Sequence, residues 1–212
     1  MKSTQKEIAG LLLDVEAVFL RPDAPFTWAS GILSPIYCDN RLILSSPDAR
    51  ARVEDALADL VRETYPGAEL LAGTSTAGIP HAALVAERLS LPMVYVRGAA
   101  KDHGRNNRIE GKLLPGQRVV VIEDLISTAG SVIEVVETLR EAGAQVLGIA
   151  SIFTYGMQKG LDRLAAAQVQ NASLSNFDAL AEVALVRGVI RAGDVERLMK
   201  FRANPGDAGW RG

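Results

Sequence analysis

The chain has 212 residues, 48% apolar and 23% charged, with 23 Lys and Arg against 25 Asp and Glu and a formal net charge of −2. That composition excludes intrinsic disorder and predicts one globular core, while the acidic balance excludes bulk attraction to nucleic acid or anionic membranes, so any anion site must be local. The single cysteine, Cys38, excludes an intrachain disulfide, and no apolar run approaches the roughly 20 residues that cross a bilayer, so a soluble protein of a reducing cytoplasm is expected.

Ile8, Leu11, Leu12, Val15 and Phe19 recur at helical spacing, and Glu7, Asp14 and Glu16 interrupt what would otherwise read as a signal peptide. An amphipathic helix is predicted over residues 4 to 20, ending near Arg21-Pro22. The stretch FTWASGILSPIYCDNRL, Phe26 to Leu42, holds two short β-prone runs around Gly31 and Ser34-Pro35 and predicts a hairpin or hood. Ser46-Pro47-Asp48 opens a helix toward Tyr65, with a capping hydroxyl and a proline in its first turn, and Pro66-Gly67 stops it.

Strands and helices then alternate: strand 70 to 72, helix 79 to 90, strand 93 to 97, strand 119 to 122, helix 131 to 142 and strand 145 to 153. Such alternation predicts an α/β fold, a parallel twisted sheet flanked by helices, which binds ligands at the carboxyl ends of its strands. Beyond Phe153 two or three short helices are expected to cover an edge, among them 177 to 187 and 193 to 201, and the final NPGDAGWRG reads as disordered. The organisation is therefore an N-terminal helix and small hood over 1–45, an α/β core with C-terminal helices over 46–202, and a tail over 203–212.

Chemistry concentrates in RVVVIEDLISTAGS, Arg118 to Ser131. Val119 to Ile122 form a buried parallel-type strand that delivers Glu123 and Asp124 to its ligand-facing end. Ser127, Thr128, Ala129, Gly130 and Ser131 follow just before a helix, where backbone N–H groups and hydroxyls make a phosphate cradle. Acids beside such a cradle suit a ligand with both a phosphate and vicinal hydroxyls, such as a ribose 5-phosphate, and they can stabilise positive charge growing on the ring. Two acids alone would also fit simple helix capping; the full string is more specific.

That string resembles the motif by which type I phosphoribosyltransferases bind phosphoribosyl pyrophosphate (PRPP). The resemblance implies Glu123, Asp124, Leu125, Ile126, Ser127, Thr128, Ala129, Gly130 and Ser131 as PRPP contacts. Ala129 stands where the family usually has glycine, and alanine there is strained if the position requires positive φ.

A second segment, VYVRGAAKDHGRNNRIEGK from Val94 to Lys112, is rich in glycine and in basic residues, as a lid over phosphates would be. Its Arg97, Lys101 to Gly104 and Ile109 to Gly111 resemble the mobile catalytic loop of orotate phosphoribosyltransferases. By that resemblance Arg97, Lys101 and His103 grip the pyrophosphate, Lys101 and His103 help the leaving group, Asp124 serves the ribose, and the loop reaches into a partner's site in a homodimer. Gly98 stands where some members have a further lysine. A third segment, AGTSTAGIPHAA from Ala72 to Ala83, resembles the family's pyrophosphate loop, with Ala77 where some members place lysine; His81, one turn into a helix, reads as structural.

The hood itself, PFTWASGILSPIYCDNR, resembles the segment that covers the pyrimidine in orotate phosphoribosyltransferases, although Ala29 and Leu33 occupy two sites where basic residues are common. Cys38 and Trp28 read as packing residues. Ile152 to Gly156, IFTYG, matches one bacterial branch, and Ser127 is carried over as the orotate contact. The resemblance implies transfer of the phosphoribosyl group from PRPP to orotate in pyrimidine biosynthesis, with Mg²⁺ carried by PRPP and Glu123 and Asp124 reaching it through water. Two other readings stay open: a phosphoribosyltransferase for a purine or another base, and a PRPP-sensing regulator that binds nucleic acid. The acidic balance and the retained lid argue against the regulator.

Overall fold

The structure, a computed structural model, describes residues 2–28, 31–98 and 108–211. Helix α1 is Lys2–Asp14, shorter than the pattern predicts. Its end is a Schellman turn: Ala17 N–H donates to the Leu12 carbonyl at 2.9 Å, Glu16 N–H to the Leu13 carbonyl at 3.1 Å, and Glu16 takes φ 56°. The β-prone Val18–Leu20 then forms β1, paired antiparallel with β4, Ile36–Cys38. Phe19 therefore falls at helical spacing without being helical, because the pairing of Val18 with Cys38 and Leu20 with Ile36 overrides the apolar period.

The hood is a hairpin of β2, Phe26–Thr27, and β3, Leu33–Ser34, as its sequence predicts. A 3₁₀ segment, Asn40–Ser45, leads to α2, Pro47–Thr64, whose first turn is capped by Ser46 accepting from Ala49 N–H.

The core comprises β5 (Leu70–Thr74), α3 (Gly78–Leu89), β6 (Met93–Val96), β7 (Ile109–Glu110), β8 (Arg118–Ile126), α4 (Gly130–Glu141), β9 (Gln145–Thr154), α5 (Gln158–Ala166), β10 (Asn171–Asn176), α6 (Phe177–Val186) and α7 (Ala192–Ala203). The sheet order is β10-β9-β8-β5-β6-β7, parallel throughout except for the β6–β7 pair. Strand β10 lies where only helices are expected. Its sequence NASLSN carries one large apolar residue, so strand character comes from its ladder with β9 and not from local preference.

Alternate residues of β8 feed two cores. Val120 and Ile122 join Leu71, Ala150 and Ile152 beneath α1, α2, α3 and the C-terminal helices, whereas Val119 and Val121 join Leu70, Ala72 and Ile149 beneath Val132, Val136 and Leu139 of α4. Burial on both faces is why the strand is continuously apolar. From β5 the chain moves to β6 on one side and returns to β8 on the other. The carboxyl ends of β5 and β8 thus flank the switch point of the sheet, where such folds open a crevice.

The tail expected to be disordered instead folds back. Ala208–Arg211 form a 3₁₀ turn, and Trp210, 2% exposed, meets Phe201 of α7 with ring centroids 5.6 Å apart. Burial of one indole ring supplies the contact area that the small and polar residues around it lack.

Candidate active site

The acids of β8 occupy different surroundings although they are adjacent. Glu123 is only 6% exposed, and its Oε1 accepts from Thr74 Oγ1 of β5 at 2.8 Å and from the Asp124 N–H at 3.0 Å. Burial, followed by the neighbouring Asp124 carboxyl, pushes its pKa up to about 8, against the pull of those two donors. Asp124 is half-buried, and its carbonyl accepts from Asn40 Nδ2 at 2.7 Å.

Ser127, Thr128 and Ala129 then turn the chain into α4. Ala129 takes φ 59°, ψ 9°, the left-handed region, and no side chain among the described residues caps the helix there. The strain anticipated for alanine is therefore present, at roughly 1–2 kcal/mol. The uncapped first-turn N–H groups of α4 are the donors an anion would take. Two contacts from α5 hold the loop from behind: Arg163 Nη1 donates to the Thr128 carbonyl at 3.0 Å, and Gly160 packs so closely that a Cβ there would meet the Ser127 carbonyl oxygen at 2.6 Å.

The neighbouring strand β5 ends in a second turn, Ser75 to Ala77, from which α3 opens, also without a side-chain cap among the described residues. Ser75 and Thr76 are exposed and joined by a cis peptide, and Ser75 Oγ donates to the Val96 carbonyl at 2.6 Å. A Cβ on Gly78 would meet the Ile122 carbonyl at 2.5 Å, so only glycine lets α3 start this close to β8. His81 lies in the core, its Nδ1 2.5 Å from Glu54 Oε1, with both side chains fully buried.

Arg97 follows β6, whose Val96 is in register with Thr74, so its backbone stands beside the Ser75 turn. Its N–H donates to the Arg108 carbonyl at 2.9 Å and its Nε lies 3.2 Å from Glu110 Oε1, which closes the stem of the basic loop. Lys101 and His103 lie outside the described residues, as do Ala29 and Ser30 of the hood. Trp28 packs against Tyr155 and Phe201 at 5.8 and 5.6 Å. Cys38 Sγ donates to Asn40 Oδ1 at 3.3 Å, and burial, with the charges of Asp124 and Asp39, raises the thiol well above its ordinary pKa, so it stays protonated.

Glu123, Asp124 and Ser127 to Ser131 are thus gathered with the Ser75 turn and Arg97 at neighbouring strand ends. Sequence reasoning did not single out Asn40, Thr74, Gly160 or Arg163. Asn40 carried a signal as part of the Asp39-Asn40-Arg41 string, but its partner is 84 positions away. Arg163 and Gly160 carried none, since their contacts depend on how α5 docks.

A family profile described as phosphoribosyl transferase domain matches residues 41–185. The chain is 55% identical over 206 residues to an orotate phosphoribosyltransferase of Bacillus anthracis (strain CDC 684 / NRRL 3495), spanning 97% of this chain and 98% of that one. A Bacillus cereus (strain G9842) orotate phosphoribosyltransferase matches equally well, at 55% over the same spans. Among solved structures it resembles the orotate phosphoribosyltransferase of Aeropyrum pernix, with TM-score 0.75, 30% identity, 87% of this chain and 99% of that one. It also resembles the UMP synthase of Leishmania donovani, with TM-score 0.80, 26% identity, 95% of this chain and 42% of that one. A profile over two thirds of the chain and relatives 55% identical over nearly its whole length show that the chain belongs to the type I phosphoribosyltransferase family, within its orotate phosphoribosyltransferase branch.

Proposed function

We infer that the chain transfers the 5-phosphoribosyl group of PRPP to orotate, giving orotidine 5′-monophosphate and pyrophosphate in pyrimidine biosynthesis. The observation that carries this is the meeting, at the carboxyl ends of the paired strands β5 and β8, of the Glu123-Asp124 acids with the starts of two helices that no side chain caps among the described residues. The 5-phosphate sits on the amides and hydroxyls of Ser127 to Ser131, where partial positive charge collects at the start of α4. Asp124, reached from the crevice, accepts from the ribose hydroxyls. Glu123 behind it keeps its proton up to about pH 8, so the pair does not oppose the approach of an anionic substrate with two full charges.

In the reaction the C1–oxygen bond of PRPP to pyrophosphate breaks, a bond from C1 to the ring nitrogen of orotate forms, and the proton of that nitrogen leaves with the pyrophosphate, helped by Lys101 or His103. Positive charge that develops on the ribose in between is met by the Asp124 carboxylate. The exposed Ser75 turn, the start of α3 and Arg97 take the leaving pyrophosphate, and Lys101 and His103 close over it, neutralise it and exclude water. Ser127 and the hood hold the base.

Carboxylate oxygens are the hard donors Mg²⁺ takes, and no cluster of three or more His, Cys, Asp or Glu side chains suited to a metal forms among the described residues. Mg²⁺ would arrive with PRPP, Asp124 would reach its water shell and Glu123 would do so only after losing its proton, and the ion would supply charge neutralisation. The lid reaches the partner's site in a homodimer. The single cysteine suits a reducing cytoplasm, where we place the reaction, and no helix among the described residues is long and apolar enough to cross a membrane.

The test is release of pyrophosphate from PRPP and Mg²⁺ with orotate, adenine, guanine or hypoxanthine supplied in turn. Turnover with orotate alone is expected; turnover with a purine, or none with orotate, would overturn the assignment.

A further inference from the structure

Trp28, immediately after β2 of the hood, meets Phe201 of α7 edge-on, with centroids 5.6 Å apart at 81°. Phe201 is fully buried and meets Trp210 of the last turn in the same way, at 5.6 Å and 75°. Beside this stack Arg197 of α7 donates to the Trp210 carbonyl at 3.3 Å and to the Pro22 carbonyl at 2.7 Å, and it pairs with Asp23 at 2.7 Å. The final turn and the chain entering the hood thus share one aromatic stack and one arginine, although they lie at opposite ends of the sequence. The ion pair to Asp23 is partly exposed and contributes little, so the stacked rings carry the connection.

We propose that Trp210 is a positioning residue for the base site: the C-terminal turn fixes the hood through Phe201 and Trp28, and productive binding of orotate depends on it. This rests on the reading that the hood covers the pyrimidine. Trp210 itself touches no substrate. A hood held from behind loses little conformational freedom on closing over a planar base, whereas a loosened one must be ordered by the ligand at a cost in affinity. On that same reading PRPP is held by the amides of α4 and the Ser75 turn and not by Phe201 or Arg197, the partners of Trp210, so its binding should not share the dependence.

Trp28 and Trp210 are the two tryptophans of the chain, so each reports alone when the other is replaced. Emission is followed with red-edge excitation in Trp210→Phe and in Trp28→Phe, titrating orotidine 5′-monophosphate and, separately, ribose 5-phosphate, with a free tryptophan derivative as the absorption control. The proposal expects the nucleotide, not the sugar phosphate, to shift the emission of Trp28 in the first variant and of Trp210 in the second. It also expects Trp210→Ala to raise the KM for orotate about tenfold, with the KM for PRPP changed less than about twofold, and Trp210→Phe to restore orotate binding.

If Trp28 responds while Trp210 stays silent and Trp210→Ala leaves the orotate KM unchanged, the tail is inert and the proposal falls while the hood reading stands. If Trp28 is itself silent, the hood reading falls and the proposal with it. A parallel rise in both KM values would mean general loosening and would also overturn it. Should Trp210→Ala fail to fold, the emission of Trp210 in Trp28→Phe decides.

Discussion

Asn40 Nδ2 donates to the main-chain carbonyl of Asp124 at 2.7 Å, and Asn40 is fully buried, so one amide fastens the hood segment to the strand that carries the Glu123-Asp124 pair. Its Oδ1 accepts from Cys38, which leaves the amide engaged at both ends.

Replacing Asn40 with leucine keeps the approximate volume but leaves the Asp124 carbonyl without its donor. A buried unsatisfied acceptor costs about 1–3 kcal/mol. We expect a loss of stability in that range and a fall in kcat/KM of at least about tenfold, because the Asp124 backbone is no longer held. Urea unfolding together with steady-state kinetics measures both; an unchanged kcat/KM in a destabilised but folded variant would show that the bond serves folding alone.

Glu123 sets a pH dependence whose sign can be worked out. Its folded pKa is raised to about 8, above the value near 4.3 of an unfolded chain. Between those values the native state holds the proton and the unfolded state does not, so stability falls as pH rises from about 5 to about 8, by on the order of 1 kcal/mol per pH unit for this group. Glu123→Gln removes that dependence. Unfolding midpoints of wild type and variant should therefore converge toward pH 5 and separate toward pH 8, with the variant more stable at the upper end; parallel profiles would sink the idea.

Ala129 combines a left-handed backbone with a buried methyl, 4% exposed against the α4 side of the core. Glycine would relieve roughly 1–2 kcal/mol of strain, but it gives back about 0.5–1 kcal/mol in backbone entropy and about 0.8 kcal/mol in lost apolar contact. The terms nearly cancel, so Ala129→Gly should shift Tm by no more than about 3 °C. Ala129→Val, with a β-branched residue at the same φ, should cost more than about 2 kcal/mol and weaken PRPP binding. Thermal unfolding of the pair distinguishes this balance from a loop that simply tolerates any small residue.

Sharing of the lid between subunits is tested by complementation. Lys101→Ala is expected to lower turnover by about 10² or more without changing Tm, and Asp124→Ala to lower it similarly. Mixed dimers of the two should recover activity if one subunit's lid closes over the other's ribose site. No recovery in dimers verified to be mixed would confine each lid to its own subunit.

The sequence by itself determined the four central strands of the sheet, because strands buried on both faces must be continuously apolar, as Val119 to Ile122 are, and it determined that a turn of acids, hydroxyls and small residues follows β8, because that turn lies within the contiguous run from Glu123 to Ser131. Only the tertiary structure decided what rests on partners distant in the chain. The Schellman turn at Glu16 and the pairing of β1 with β4 overrode a helical period, β10 became a strand through its ladder with β9, and Trp210 folded back because an indole found Phe201. It also separated the two acids of the motif: strand alternation puts Glu123 and Asp124 on opposite faces, but only the packing of β8 beside β5 buries Glu123 against Thr74 and leaves Asp124 half-exposed, and desolvation acts on a packed position that no local pattern contains.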